Sequence, residues 1–327
     1  MESGRRWFLR SATAGTAAAA AACAAPEAQA RGNKTMSPEA VGLLFDGTLC
    51  IGCRACMSAC KESNRMPAER RPLLGENGEV NDVWDSPNDI SGRTLNVIRA
   101  WKDGTAQVKD REENGFCFSK MSCYHCVDPS CVSACPVSAM TKDPVTGIVA
   151  HSPEACIGCR YCVAACPFGV PRFTYDQAFP HISKCQLCRH RAAEGRYAAC
   201  AEVCPTGATL FGPVAELKKE AARRQALKPG TMTRFPRGRI GGGDFHSRRV
   251  ATYVDHLYGE HEIGGTQVLH LSAIPFEKLG KPALPDVAPA SVSESLQHTL
   301  YHGFIAPIAF LAGFVFLARR SARNEEE

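Results

Sequence analysis

From Gly303 to Ala318 the chain carries no charged residue, and counting back to Thr299 gives twenty residues free of Asp, Glu, Lys and Arg. As a helix that stretch rises about 30 Å, the depth of a bilayer's hydrocarbon core. Tyr301 stands where an interfacial aromatic would, and Arg319, Arg320 and Arg323 follow at once. Positive charge marks the cytoplasmic flank, while trailing glutamates count for little. The pattern predicts one membrane-crossing anchor over 298–320, with a cytoplasmic tail at 321–327 and the rest of the chain on the other side. Pro307 is tolerated in such a helix when neighbours satisfy the freed carbonyl.

A weaker apolar stretch, rich in Thr and Ala, runs to Ala25 behind Gly4-Arg5-Arg6-Trp7-Phe8-Leu9-Arg10. Ala28-Gln29-Ala30 offers a small-x-small cleavage site, so residues 1–30 read as a twin-arginine export signal rather than an amphipathic helix of the mature protein. That route carries proteins already folded. The two ends agree on a body outside the cytoplasmic membrane, on its periplasmic side.

Between the ends the pattern is of short elements. Thr94–Trp101, Thr146–Val149, Arg172–Tyr175 and Thr209–Phe211 read as strands, and Phe116-Cys117-Phe118 as part of another. Pro213 opens a helix that runs to about Leu227, where Pro229-Gly230 stops it. From there to Leu296 the chain is rich in Gly and Pro and reads as an extended arm. Gly241-Gly242-Gly243 follows no strand, which argues against a nucleotide-binding loop.

Eighteen cysteines change the picture, because sixteen of them fall into four groups of four. They are Cys50, Cys53, Cys56 and Cys60; Cys123, Cys126, Cys131 and Cys135; Cys156, Cys159, Cys162 and Cys166; and Cys185, Cys188, Cys200 and Cys204. The last three groups each end in Cys-Pro, and the third is the bacterial ferredoxin run itself. A zinc site would use two well-separated Cys-x2-Cys pairs or a mix of Cys and His. Disulfides suit an exported chain, but cysteines so close in sequence are poorly placed to pair with one another. Four [4Fe–4S] clusters are expected, and a chain carrying four is most simply an electron wire.

In two-cluster ferredoxins the fourth cysteine of a run ligates the partner cluster. Applied to the second and third groups, that rule gives one cluster on Cys123, Cys126, Cys131 and Cys166, and another on Cys156, Cys159, Cys162 and Cys135. The same logic pairs the first and fourth groups: Cys50, Cys53 and Cys56 with Cys204, and Cys185, Cys188 and Cys200 with Cys60. Cys117 reads as a small buried strand residue. Cys23 lies in the export signal, either as an ordinary member of it or as a lipid attachment point. His125 reads as packing beside its cluster or tuning it, not as a ligand. His298 and His302 either form an interfacial polar face or face a haem or quinone in a neighbouring membrane subunit.

The composition, 45% hydrophobic and 22% charged, is that of a globular body. The formal charge of +5 is scattered and is offset by cluster thiolates, so it is no argument for nucleic acid. The expected fold is α+β: a four-cluster body over 31–212 made of two ferredoxin-like two-cluster modules, with an insertion at 61–122. A helix and extended C-terminal arm over 213–297 and one transmembrane helix complete it. No catalytic triad, nucleotide loop or open metal site is apparent, which argues against an enzyme in its own right.

His125-Cys126-Val127-Asp128-Pro129, the run from Cys131 to Ala139, Cys159-Arg160-Tyr161-Cys162, Gly264–Leu269 and Gln297–Tyr301 carry a resemblance. The chain resembles the four-cluster electron-transfer subunits of membrane-bound respiratory oxidoreductases. These include formate dehydrogenase beta subunits and dimethyl sulfoxide reductase electron-transfer subunits, and the likeness is strongest to the ferredoxin-like subunits of hydrogenase-2 type complexes. The resemblance supports the outer cysteine pairing. It implies a non-catalytic role in anaerobic respiration, with hydrogenase small and large subunits on one side and an integral membrane quinone-reactive subunit on the other. A molybdenum enzyme such as formate dehydrogenase is the alternative partner.

Overall fold

The structure, a computed structural model, describes residues 30–67, 87, 89–178 and 180–325. Residues 1–29 of the expected export signal, and 68–86 and 88 of the expected insertion, therefore lie outside the described residues. The chain divides into two compact units, one spanning Asn33–Ala288 and the other built on the helix that begins at Pro289.

The elements open with β1 (Val41–Asp46), α1 (Ala55–Ser63), β2 (Val97–Lys102), β3 (Val108–Lys109) and β4 (Gly115–Met121). Then come α2 (Ser130–Ser133), β5 (Met140–Lys142), β6 (Val149–His151), α3 (Tyr161–Ala164), β7 (Arg172–Phe173) and β8 (Ile182–Ser183). The chain closes with α4 (Ala199–Glu202), β9 (Thr209–Pro213), α5 (Val214–Gln225), β10 (Met232–Pro236), β11 (Gly238–Arg239), β12 (Phe245–Arg249), β13 (Val268–Leu271) and α6 (Pro289–Glu325). The fold is mixed α and β, with short elements throughout.

β1 is an unbroken apolar run, as a strand covered on both faces requires. It pairs antiparallel with β9, Leu43 opposite Phe211, and parallel with β13, Leu44 opposite Leu269. With β11 they form a sheet of order β11-β9-β1-β13. The helix expected after Pro213 is present as α5, with Pro213 its cap. Its Val214, Leu217 and Ala221 close over Leu44, Leu210 and Leu269. A second sheet, β2-β4-β3, buries Cys117 completely, as its apolar neighbours foretold.

The extended arm requires correction. The stretch after Leu227 builds the β10–β12 hairpin, lends β11 to the main sheet and returns as β13, whose four residues are all buried. Two consecutive left-handed glycines, Gly264 and Gly265, turn the chain back there. The loop is then fixed against the body: Val127 N–H donates to the Gly265 carbonyl at 2.9 Å, and Gln267 Nε2 donates to the Val41 carbonyl at 2.6 Å. Gly and Pro density signalled the turns and hid the short strands between them.

In the second unit α6 runs 37 residues, starting earlier than the anchor expected from 298. The part Pro289–Arg319 is long and apolar enough to cross a membrane, and its central side chains, Phe304, Ile308, Leu311 and Phe314 among them, are exposed. Near its start Arg31 forms an ion pair with Glu294 at 2.7 Å.

Candidate metal centres

The four cysteine loops share one backbone device, residues in the left-handed region between or just after the first cysteines. They are Gly52 and Arg54, His125, Gly158 and Arg160, and Leu187 with Cys188. A non-glycine residue held there costs roughly 1–3 kcal/mol, and such strain gathers at functional sites. Its effect is to curl the loop so that several thiols border one cavity. Arg54 and Arg160 are also the residues from which α1 and α3 start.

The thiols gather into rings that cross the sequence groups. One cavity is lined by Cys50, Cys53, Cys56 and Cys204, and a second by Cys60, Cys185, Cys188 and Cys200. A third is lined by Cys135, Cys156, Cys159 and Cys162. The remaining four belong together electrostatically, since Cys126 feels Cys166, Cys123 and Cys131. The rings are denoted A (with Cys50), B (with Cys60), C (with Cys123) and D (with Cys156).

A helical turn does the crossing. Cys56 and Cys60 sit on α1, four residues and about 6 Å of rise apart, so one helix serves rings A and B. Short helices α2, α3 and α4 carry Cys131, Cys162 and Cys200 in the same way, with Cys135, Cys166 and Cys204 just beyond their ends. The rings also follow one another. Cys200 of B feels Cys56 of A, Cys185 of B feels Cys123 of C, and Cys131 of C feels Cys162 of D. The order is A-B-C-D.

Burial pushes these thiols up, Cys131 and Cys185 to about 12 and Cys162 and Cys200 to about 11. Iron at a ring reverses this, because a coordinating thiol is deprotonated outright. All seventeen described cysteines are free thiols. Among the described residues no three His, Cys, Asp or Glu side chains converge as a single-ion site requires. Thiols spread around a cavity suit a cluster with an iron at each corner, and not one tetrahedral zinc at 2.3 Å from each sulfur.

Second-layer donors surround the rings. Leu187 N–H lies 3.4 Å from Cys185 Sγ and Met140 N–H 3.5 Å from Cys135 Sγ. Asn64 Nδ2 donates to the Cys60 carbonyl at 2.7 Å and lies 3.7 Å from its sulfur. Hydrogen bonds of this kind move cluster potentials. His125 is buried, and its Nδ1 accepts from Val149 N–H at 3.0 Å, so the ring carries its proton on Nε2. Burial, reinforced by Lys184 and Lys142, holds it well below the usual histidine range.

Three buried or half-buried lysines were invisible in the sequence. Lys120 lines ring B. Lys184 donates to the Val149 and Cys185 carbonyls and lies 3.9 Å from Cys123 Sγ. Lys142 donates to the Cys126 and Gly147 carbonyls. The only sequence sign is a lysine standing near a cysteine or in an apolar strand, which most surface lysines share.

Beneath ring A a charged network fixes the loop. Arg224, fully buried on α5, meets Asp46 at 2.9 Å and Glu220 at 2.8 Å. Asp46 ends β1, accepts from Thr48 N–H and Tyr253 O–H, and its carbonyl receives Cys50 N–H at 3.2 Å.

Residues 115–214 match the family described as a 4Fe-4S dicluster domain. The chain is 44% identical over 325 residues to the Hydrogenase-2 operon protein HybA of Escherichia coli O157:H7, covering 98% of this chain and 96% of that one. It is 35% identical to the Formate dehydrogenase-O iron-sulfur subunit of Escherichia coli (strain K12), over 76% of this chain and 73% of that one. The nitrate-inducible formate dehydrogenase iron-sulfur subunit of that strain is 32% identical over 84% and 81%. The cysteine complement fits four [4Fe–4S] clusters, and by likeness over nearly its whole length the chain belongs to the HybA family of iron–sulfur electron-transfer subunits.

Proposed function

We propose that this chain is the non-catalytic wire between a periplasmic uptake hydrogenase and a quinone-reactive membrane subunit. Rings A, B, C and D each hold one [4Fe–4S] cluster through their four cysteines, in two ferredoxin-like modules. Such a cluster, when bound, supplies a site that stores one electron. The chain's own part is to hold the four sites in line, to exclude water from them with apolar side chains, and to set their potentials with nearby donors and charges. At each join neighbouring rings adjoin: α1 carries Cys56 of A and Cys60 of B, Lys184 lies 3.9 Å from Cys123 Sγ of C and 3.0 Å from the Cys185 carbonyl of B, and Cys131 of C packs in one cluster with Cys162 of D. That succession is the observation that carries the reading.

Export by the twin-arginine route delivers the body already loaded, and α6 ties it to the membrane. The hydrogenase small subunit feeds electrons to one end of the line. Support for that partner is the HybA relation over the full length. A formate dehydrogenase is the second reading, favoured by relatives at 35% and 32% identity.

The test is an EPR spectrum of anaerobic membranes holding the intact complex, reduced in turn with H2 and with formate. We expect H2 to bring up four-iron signals that vanish when this chain is deleted. Signals raised by formate alone keep the wire and replace the partner.

A further inference from the structure

β4 sends one charged side chain into the body between two rings. Lys120, opposite Ile98 on β2, is 1% exposed, and its Nζ meets no hydrogen-bond acceptor among the described residues. An ammonium buried in that way is strongly disfavoured unless an anion lies close. Lys120 lines ring B together with Cys60, Cys185 and Cys200. Asn96, which lines the same cavity, donates to the Cys56 carbonyl at 3.0 Å, and Cys56 and Cys60 lie one turn apart on α1, so ring A adjoins that cavity.

The other joins are built differently. At B–C the Lys184 ammonium is already engaged by the Val149 and Cys185 carbonyls. Met140, Val149 and Ile182 pack with Cys131 and Cys162 at C–D, an apolar contact. Among the described residues Lys120 is thus a buried cation whose Nζ has no hydrogen-bond partner and which is set against the thiols of ring B.

A cubane held by four thiolates is anionic, and reduction adds one more negative charge. A fixed cation beside it favours the reduced form, strongly where water is excluded. We propose that Lys120 is a counter-charge shared by the clusters of rings A and B, raising both reduction potentials together and making them a matched pair at one end of the line. This rests on the ligand assignment proposed above. Lys120 acts through the clusters and is not a ligand.

The experiment is a potentiometric EPR titration of the intact complex in membranes, comparing wild type with Lys120→Met, Lys120→Gln and Lys120→Arg. Cys60→Ser and Cys204→Ser identify the signals of rings B and A. The neutral variants should lower two potentials, those of A and B. At a fixed potential each should lose about tenfold in its reduced-to-oxidised ratio, equivalent to about 59 mV for one electron. C and D should stay in place, and arginine should hold all four.

Unmoved potentials in the neutral variants overturn the inference, as does an equal shift of all four, or an arginine variant that shifts as methionine does. If the neutral variants lose iron from A and B while arginine keeps sixteen irons, the same charge requirement has appeared at assembly. Loss from all three variants reduces Lys120 to a packing role and overturns it. Fewer than four cubane signals in wild type would instead bring down the ligand assignment itself.

Discussion

Cys60 and Cys204 close groups whose first members line other cavities, so a single oxygen-for-sulfur change at each reads the crossing directly. Cys60→Ser should abolish or alter the signal that also depends on Cys185, Cys188 and Cys200. Cys204→Ser should do so for the signal that depends on Cys50, Cys53 and Cys56. Iron counts and EPR on the purified chain check this, and damage confined to each residue's own sequence group would refute the crossing. Gly52 is a second sensitive point, because it holds φ +70° and a β-carbon there would run into the Phe118 ring. Gly52→Ala should cost ring A its cluster while D survives, measured by the same spectra. Lys281 supplies a pH signature beside the second cysteine loop, through Tyr124 between Cys123 and Cys126. Burial drives it down to about 7, beneath the Tyr124 hydroxyl at 2.5 Å. The unfolded chain binds that proton up to the ordinary lysine range near 10.4, so folding strength must rise with pH between the two values. The thermal midpoint of wild type should therefore rise relative to that of Lys281→Met from pH 7 to 10. The thiol rings were legible in the sequence because a cluster demands several ligands within one short loop. Lysines 120, 142 and 184 were not, since their meaning comes from what lies across from them.

At the scale of elements, the same division holds. α5 was legible from Pro213 and the Pro229-Gly230 stop, both local signals, and the long apolar helix from an uncharged run. β13 was not, because its four residues gain their place by pairing with β1, more than two hundred positions earlier in the chain. Its neighbours Gly264 and Gly265 announce only a turn. The strands near 94, 146, 172 and 209 were found with ends displaced by a few residues, as expected where pairing partners set the limits. The join between β1 and α5 rests on Asp46 and Arg224, both fully buried. Removing one partner from such a pair costs about 3–5 kcal/mol, because it leaves the other charge buried alone. Arg224→Met should thus loosen the ring A loop first, lowering the thermal midpoint and releasing iron from A before the other rings, followed by iron release on heating.

For the whole molecule, the division at Pro289 separates a metal-bearing body from a membrane-length helix. A chain ended after Ala288 should remain brown and leave the membrane fraction, with H2-driven quinone reduction lost although dye reduction by the hydrogenase persists. Cell fractionation and the two assays distinguish those outcomes. The crossing of cysteines has a consequence for the chain as a polymer. Ring A joins Cys56 to Cys204, and ring B joins Cys60 to Cys185. A cluster held by ring A or ring B would be a staple across the body, closing a loop of about 150 or about 125 residues, for which chain entropy assigns a covalent cross-link on the order of 5 kcal/mol. Oxygen that dissolved both of those clusters would therefore do more than break a circuit: it would unfasten the two clasps that hold the first cysteine group to the last.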